Sequence, residues 1–360
     1  MAIKRIAIIT EFLFHFGGIE KSIIELTKGL KEKGIKYDIF CGLYDPSKTF
    51  SNFQSMNVKS FTSKKFPAGL HSFYLRWKFS RLKLECYDGY VFFGFHSFAA
   101  LRKHHPNVVW EQGPLAYLYL DDDAGVKGGV KKIIANSFKS VLRYIDQKNA
   151  RWIDTLFSLG AVSNKGLNEA YPNIKNEILF QPVDINKYNI CNKGKYYLSL
   201  ARLNKNVDKV VTAFQSMPDK ELMVYGSGSE EEKQKINDLA KDYSNIHVMG
   251  FAEESDLPEI YGNCIAALAM NPKEDFTMNL MEALASGKPG ISINPDDKDI
   301  SDLHAGTTGY LIKEATVENI SAAVKLLTAD KAYKMKDACK EKAKGYSRER
   351  YVDAILGKII

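Results

Sequence analysis

Cysteine is scarce in this chain, and what there is does not pair. The five cysteines, Cys41, Cys86, Cys191, Cys264 and Cys339, are odd in number, widely spaced and free of any C-x-x-C, so neither a disulfide framework nor a zinc site is indicated. Long apolar runs are also missing: none approaches the ~20 residues that span a bilayer. The N-terminal MAIKRIAIIT runs into a strand without the shape of a signal peptide, and a cytoplasmic location is expected. A G-x-G-x-x-G fingerprint is absent as well, which weakens a dehydrogenase reading.

What is present is ordinary soluble-protein composition, 45% hydrophobic and 26% charged, in 360 residues. That length suggests two domains. The net charge of +7 is unevenly spread: residues 1–186 carry 26 Lys and Arg against 17 Asp and Glu, a balance of +9, whereas residues 187–360 balance at −2. Such asymmetry points to an anionic partner for the first half: lipid headgroup, phosphate-bearing acceptor or nucleic acid.

Along the chain, KRIAIIT reads as a strand, and the Gly17-Gly18 pair opens an amphipathic helix with Ile19, Ile23, Ile24, Leu26 and Leu30 on one face. With the strand Tyr37 to Cys41 this makes a βαβ unit whose glycines lie at the carboxyl edge of its first strand, where open α/β sheets bind ligands. Tyr90 to Leu101 and Val108 to Leu120 read as strands ending in polar turns at His96 and at Glu111-Gln112-Gly113. Asp154 to Ser163 and Glu177 to Asp184 read as two more strands, and NKYNICNKGK as a polar linker. The βαβ rhythm restarts at Tyr196, with Arg202 and Lys205 on the first loop, where two cations suit a phosphate. Two stretches of the first half are basic: Lys59 to Lys83, with seven basic residues among Phe61, Phe66, Phe73, Tyr74, Trp77 and Phe79, and Lys127 to Arg151, with seven against the single acid Asp146. Rings with cationic neighbours suit a membrane interface; a core helix with a solvated basic face is the plainer alternative.

The chain is organised around NPKEDFTMNLMEALASGKPG, residues 271–290, which follows the apolar run CIAALAM. A helix starting near Thr277 would offer its free N–H groups as an anion site, with Glu274 on the loop in front and Glu282 one to two turns in. This stretch resembles the donor-site signature of family 4 of the retaining glycosyltransferases, with Thr277 where a second glycine is usual. ARLNKNVD similarly resembles that family's cationic loop, with Asn206 replacing a glycine, and Gly17-Gly18 with Glu20 its first loop. Gln112 stands where a histidine is common, and a glutamine cannot serve as a base at neutral pH.

The resemblance implies an α/β GT-B architecture, two doubly wound Rossmann-like domains facing each other across a cleft. It places an acceptor domain at 1–186, a donor domain at 187–343 and a closing helix at 344–360. It implies transfer from a UDP- or GDP-sugar, with retention, to a lipid-linked or saccharide acceptor. Glu274, Arg202 and Lys205 would be catalytic. Gly17, Gly18, Phe276, Thr277, Met278 and Glu282 would join them at the donor, Glu274 on sugar hydroxyls and Glu282 on the ribose, with Gln112 and His96 on the acceptor side. Protein charge would neutralise the diphosphate, no D-x-D sits on a strand end, and Asp121 to Asp123 fall in a loop of the other domain, so no metal or cofactor is expected. Peripheral attachment to the anionic inner face of the cell membrane is expected, and no nucleic acid. Two other readings stay open: a non-catalytic sugar-nucleotide or membrane-binding subunit, and an RNA-binding α/β protein supported by charge alone.

Overall fold

The computed structural model describes residues 3–63, 68–114, 119, 130–271, 276–293 and 306–359, without the side chains of 68–70 and 130–138. Two compact units emerge, residues 1–182 with 348–360, and residues 183–347.

The first unit is a seven-stranded parallel sheet in the order β3-β2-β1-β4-β5-β6-β7: β1 Arg5–Leu13, β2 Lys36–Tyr44, β3 Val58–Thr62, β4 Gly89–Phe93, β5 Asn107–Glu111, β6 Thr155–Ser158 and β7 Asn176–Ile178. Near-continuous apolar runs such as IAII and YVFF form these strands because helices bury both sheet faces. β1 pairs with β2 on one side and β4 on the other, so the strand order reverses at β1/β4. Helices α1 Gly18–Glu32, α2 Ala68–Arg81, α3 Val130–Ala150 and α4 Ala161–Ala170 follow, with a 3-10 helix at Phe95–Lys103. The long strands read from Tyr90 and Asp154 are therefore shorter than expected. Gly94, at φ +85°, ends β4 in a conformation that disfavours other residues, and Gly160 starts α4 where the alternation of apolar residues had suggested more strand.

The second unit is a six-stranded parallel sheet ordered β10-β9-β8-β11-β12-β13: β8 Tyr196–Leu200, β9 Leu222–Tyr225, β10 Ile246–Gly250, β11 Cys264–Ala269, β12 Gly290–Ile293 and β13 Gly309–Ile312. Helices α5 Val207–Gln215, α6 Glu230–Ala240, α7 Leu257–Asn263, α8 Met278–Ala285, α9 Val317–Leu326, α10 Ala329–Lys334 and α11 Lys336–Lys344 belong to it. Its core gathers Leu198, Val210, Phe214, Leu222, Leu268, Ile291 and Ile320. The NKYNICNKGK segment is not a loose linker: Tyr188 is 3% exposed and packs edge-on against Tyr261.

The last helix, α12 Arg348–Leu356, returns to the first unit. Arg348 pairs there with Glu25 and Glu32 on α1, each at 2.6 Å, and a Cβ on Gly29 would sit 2.5 Å from Val352, so the glycine lets the two helices approach.

The basic stretch from Lys59 to Lys83 is not one solvated surface. Lys59 pairs with the buried Asp38 at 3.1 Å, Leu75 and Phe79 are core residues, and Arg76 is buried; Lys64, Lys65 and Phe66 lie outside the described residues. Among the described residues no helix is long and apolar enough to cross a membrane.

Candidate functional site

In the second unit β8 and β11 are parallel neighbours, so the loops leaving both emerge at one edge. The loop after β8 carries Arg202, which is exposed and makes no ion pair among the described residues, and Lys205. Asn206 closes this loop at φ +56°, the left-handed region that asparagine tolerates, and its side-chain amide donates to the Met270 carbonyl beyond β11 at 2.6 Å. A second tie runs the other way, from the Asn279 amide in the first turn of α8 to the carbonyl of Leu200 at the end of β8. These two bonds hold the cationic loop beside the start of α8.

That helix start carries no side-chain cap: Thr277 precedes it at φ −101° and makes no capping bond. Its first N–H groups and the positive end of its dipole thus suit an anion. Phe276 and Thr277 are themselves buried, Phe276 with its ring 5.5 Å from Tyr346, so these residues offer a ligand their backbone more than their side chains. Glu274 lies outside the described residues. Glu282 lies inside α8, 4% exposed, accepting from the Tyr261 hydroxyl at 2.9 Å and from Tyr188. Burial first, then the Glu282 charge, lifts both tyrosine hydroxyls above their usual range.

The loop after β9 belongs to the same edge, a part that sequence reasoning read only as a glycine turn. The Leu203 amide donates to the Ser227 carbonyl at 3.0 Å, and a Cβ on Gly226 would lie 2.1 Å from the Ala201 carbonyl oxygen. Only glycine allows that approach.

At the carboxyl edge of the first unit, Gly17 caps α1 and Gly18 begins it. A Cβ on Gly18 would meet the side-chain amides of Gln112 and Gln181 at 3.0 Å, and Gln181 donates to the Gly18 carbonyl, so Gln112, Gly18 and Gln181 are brought together. Glu20 folds back on the start of α1. Burial raises its carboxyl to about 7, while the backbone amides of Glu20, His15 and Gly17 partly offset this.

His96 is buried in the 3-10 helix, with Nδ1 2.5 Å from Glu11 Oε2 and its ring edge-on to Phe12; its Nε2 is also buried. Glu111 accepts from the Gly94 amide at 2.6 Å, and burial, with Glu11 nearby, pushes its carboxyl well above the usual range. Glu11 and Glu111 thus brace the turn after β4 from either side at the β1/β4 reversal. Glu11 was not singled out from sequence, and Glu111 was read only as part of a polar turn, since neither glutamate carries a local mark of its buried partner. Among the described residues no cluster could hold a metal ion, and Asp121 to Asp123 lie outside them.

The second unit coincides with a known domain. Residues 180–346 match the Glycosyl transferases group 1 family. The chain is 26% identical over 183 residues, 48% of its length and 27% of the other's, to the poly(glycerol-phosphate) alpha-glucosyltransferase of Bacillus subtilis (strain 168). It is 35% identical over 109 residues, 29% of its length and 21% of the other's, to the UDP-N-acetylglucosamine–peptide N-acetylglucosaminyltransferase GtfA subunit of Streptococcus gordonii. The chain therefore spans about a quarter of the length of these curated relatives. Over nearly its whole length it superposes on the lipopolysaccharide outer core galactosyltransferase WaaB, with TM-score 0.70 and 17% identity, covering 98% of this chain and 99% of that one. The two Rossmann-like parallel-sheet units are accordingly the architecture of GT-B glycosyltransferases. The matched stretch contains the whole Arg202, Lys205 and α8 edge.

Proposed function

We propose that this chain transfers a sugar from a UDP- or GDP-sugar to a lipid-linked or saccharide acceptor, with retention and without a metal, at the anionic inner face of the cell membrane. The observation that carries the donor chemistry is the convergence of the Arg202–Lys205 loop with the uncapped start of α8, locked by Asn206 to Met270 and Asn279 to Leu200. Preorganised cations and helix N–H groups stabilise a departing diphosphate without reorganising as charge develops. The bond from the anomeric carbon to the diphosphate breaks as the acceptor oxygen bonds to that carbon on the same face. The acceptor proton passes to the leaving phosphate, since Gln112 cannot take it. Glu274 holds the sugar hydroxyls, and Glu282 with its tyrosines backs the ribose. Gly17 and Gly18 serve the donor, and Gln112 and His96 the acceptor side.

The test is mass spectrometry of products from UDP- and GDP-sugars incubated with polyprenyl-phosphate and saccharide acceptors. Arg202→Ala and Lys205→Ala are each expected to lower the rate by on the order of 10²-fold, Glu274→Ala to abolish transfer in a folded protein, and EDTA to change nothing. Activity lost to EDTA and restored by Mg²⁺ or Mn²⁺ would instead assign the leaving group to a metal. Gln112 and Thr277, as departures from the family pattern, favour a second reading as a non-catalytic sugar-nucleotide or membrane-binding subunit. That reading expects donor binding by calorimetry with no turnover.

A further inference from the structure

Within the first unit a buried pair joins α2 to the described end of α3. Arg76 on α2 and Asp146 on α3 are both buried, 3.7 Å apart, and Asp146 also accepts from the hydroxyls of Tyr119 and Tyr171. The one acid of the Lys127 to Arg151 stretch is thereby turned inward. The exposed and half-exposed charges left on α2 and on the described part of α3 are all basic: Lys78, Arg81, Lys139, Arg143 and Lys148. Glu85, in the loop after α2, is the first exposed acid beyond that helix.

Among these cations stand apolar side chains that the core does not take. Phe73 is 50% and Trp77 46% exposed, one turn apart on α2; Val141 is 56% and Tyr144 61% exposed on α3. The opposite sides of the same helices, Leu75 and Phe79 on α2 and Leu142 and Ala150 on α3, are buried. Both helices pack on the 3-10 helix Phe95–Lys103, so their exposed sides turn away from a common support. Arg81 lies over the Trp77 ring at 4.5 Å and Lys78 at 5.4 Å, which sets an aromatic body beneath two cationic heads.

We infer that these adjoining sides of α2 and α3 form a single docking face for an anionic lipid bilayer. Rings at headgroup depth flanked by Lys and Arg, with no exposed carboxylate on the described parts of the two helices, are complementary to anionic headgroups. The face refines the membrane partner proposed above to particular residues, and lipid binding can be read independently of sugar transfer.

Flotation of the full chain with phosphatidylcholine vesicles, with and without phosphatidylglycerol, tests it. Binding is expected to the anionic vesicles alone and to be released at high salt. The variant Lys78→Gln, Arg81→Gln, Lys148→Gln is expected to partition on the order of 10²-fold less, at about fivefold per charge. Phe73→Ser with Trp77→Ser is expected to weaken binding to the anionic vesicles at low salt although every charge is kept. Nucleoside diphosphate release in vesicle-free solution stays at the wild-type rate in both variants, so a dead enzyme that still floats would sink the transferase reading and leave the docking face standing. Equal flotation with neutral vesicles, none with anionic ones, or wild-type flotation of the charge variant would overturn the docking face. So would a soluble protein captured through these residues by a chain that does not float.

Discussion

Asn206 gives the sharpest test of how the Arg202–Lys205 loop is held. Two separable contributions meet in it: a left-handed backbone at φ +56°, ψ 23°, and the 2.6 Å bond from its amide to the Met270 carbonyl. An ordinary side chain in that conformation costs about 1–2 kcal/mol, and a net hydrogen bond contributes about 0.5–1.5 kcal/mol. Asn206→Ala loses both, for a loss of about 2–3 kcal/mol. Asn206→Gly adopts the conformation freely and loses the bond, with some added freedom in the unfolded chain, for about 1 kcal/mol. Urea denaturation should rank the proteins wild type, then Gly, then Ala, with Tm lower by about 2–4 °C per kcal/mol for a unit of this size. Because Arg202 and Lys205 ride on the loop that Asn206 closes, both variants should lose kcat for transfer, Ala more than Gly. If Gly costs as much as Ala, the conformational contribution is not there. If Ala costs nothing, Asn206 does not hold the loop.

Three other substitutions probe the same architecture. Glu282→Ala strands the buried Tyr261 hydroxyl and should cost about 1–3 kcal/mol in chemical denaturation as well as weakening nucleotide binding in calorimetry, with Glu282→Gln recovering part of the stability. Arg76→Leu leaves Asp146 buried without its ion-pair partner and should destabilise by about 3–5 kcal/mol, most of it restored when Asp146→Asn is added; an unchanged midpoint for the single variant would contradict the pair. Glu20 has its carboxyl raised from its ordinary 4.5 to about 7, so folding favours its protonated form. Its contribution to stability is whole below about pH 4.5 and is lost as pH climbs through about 7, by at most about 3 kcal/mol. Glu20→Gln should flatten that part of the stability profile, and identical profiles for the two proteins would refute the raised carboxyl.

The sequence by itself determined the alternation of strands and helices, because apolar spacing is local and each element must bury one face. It also pointed to the edge that carries Arg202, Lys205 and the start of α8, since each follows a buried apolar run and ligands collect at the carboxyl ends of such strands. That Asn206 stands where a glycine is usual was legible too, but its left-handed backbone was seen only in the fold. Local pattern failed where burial depended on a distant partner. Arg76 looked like one more surface cation until α3, seventy residues on, supplied Asp146, and Tyr188 looked like linker until Tyr261 and Glu282 closed around it. Glu11, Glu111 and His96 gained their relation only when parallel pairing set the ends of β1, β4 and β5 side by side. A charge leaves water only where opposite charge and hydrogen bonds replace it, and chain order does not say where those partners are. Tertiary structure alone decided which basic residues of α2 and α3 remained outside.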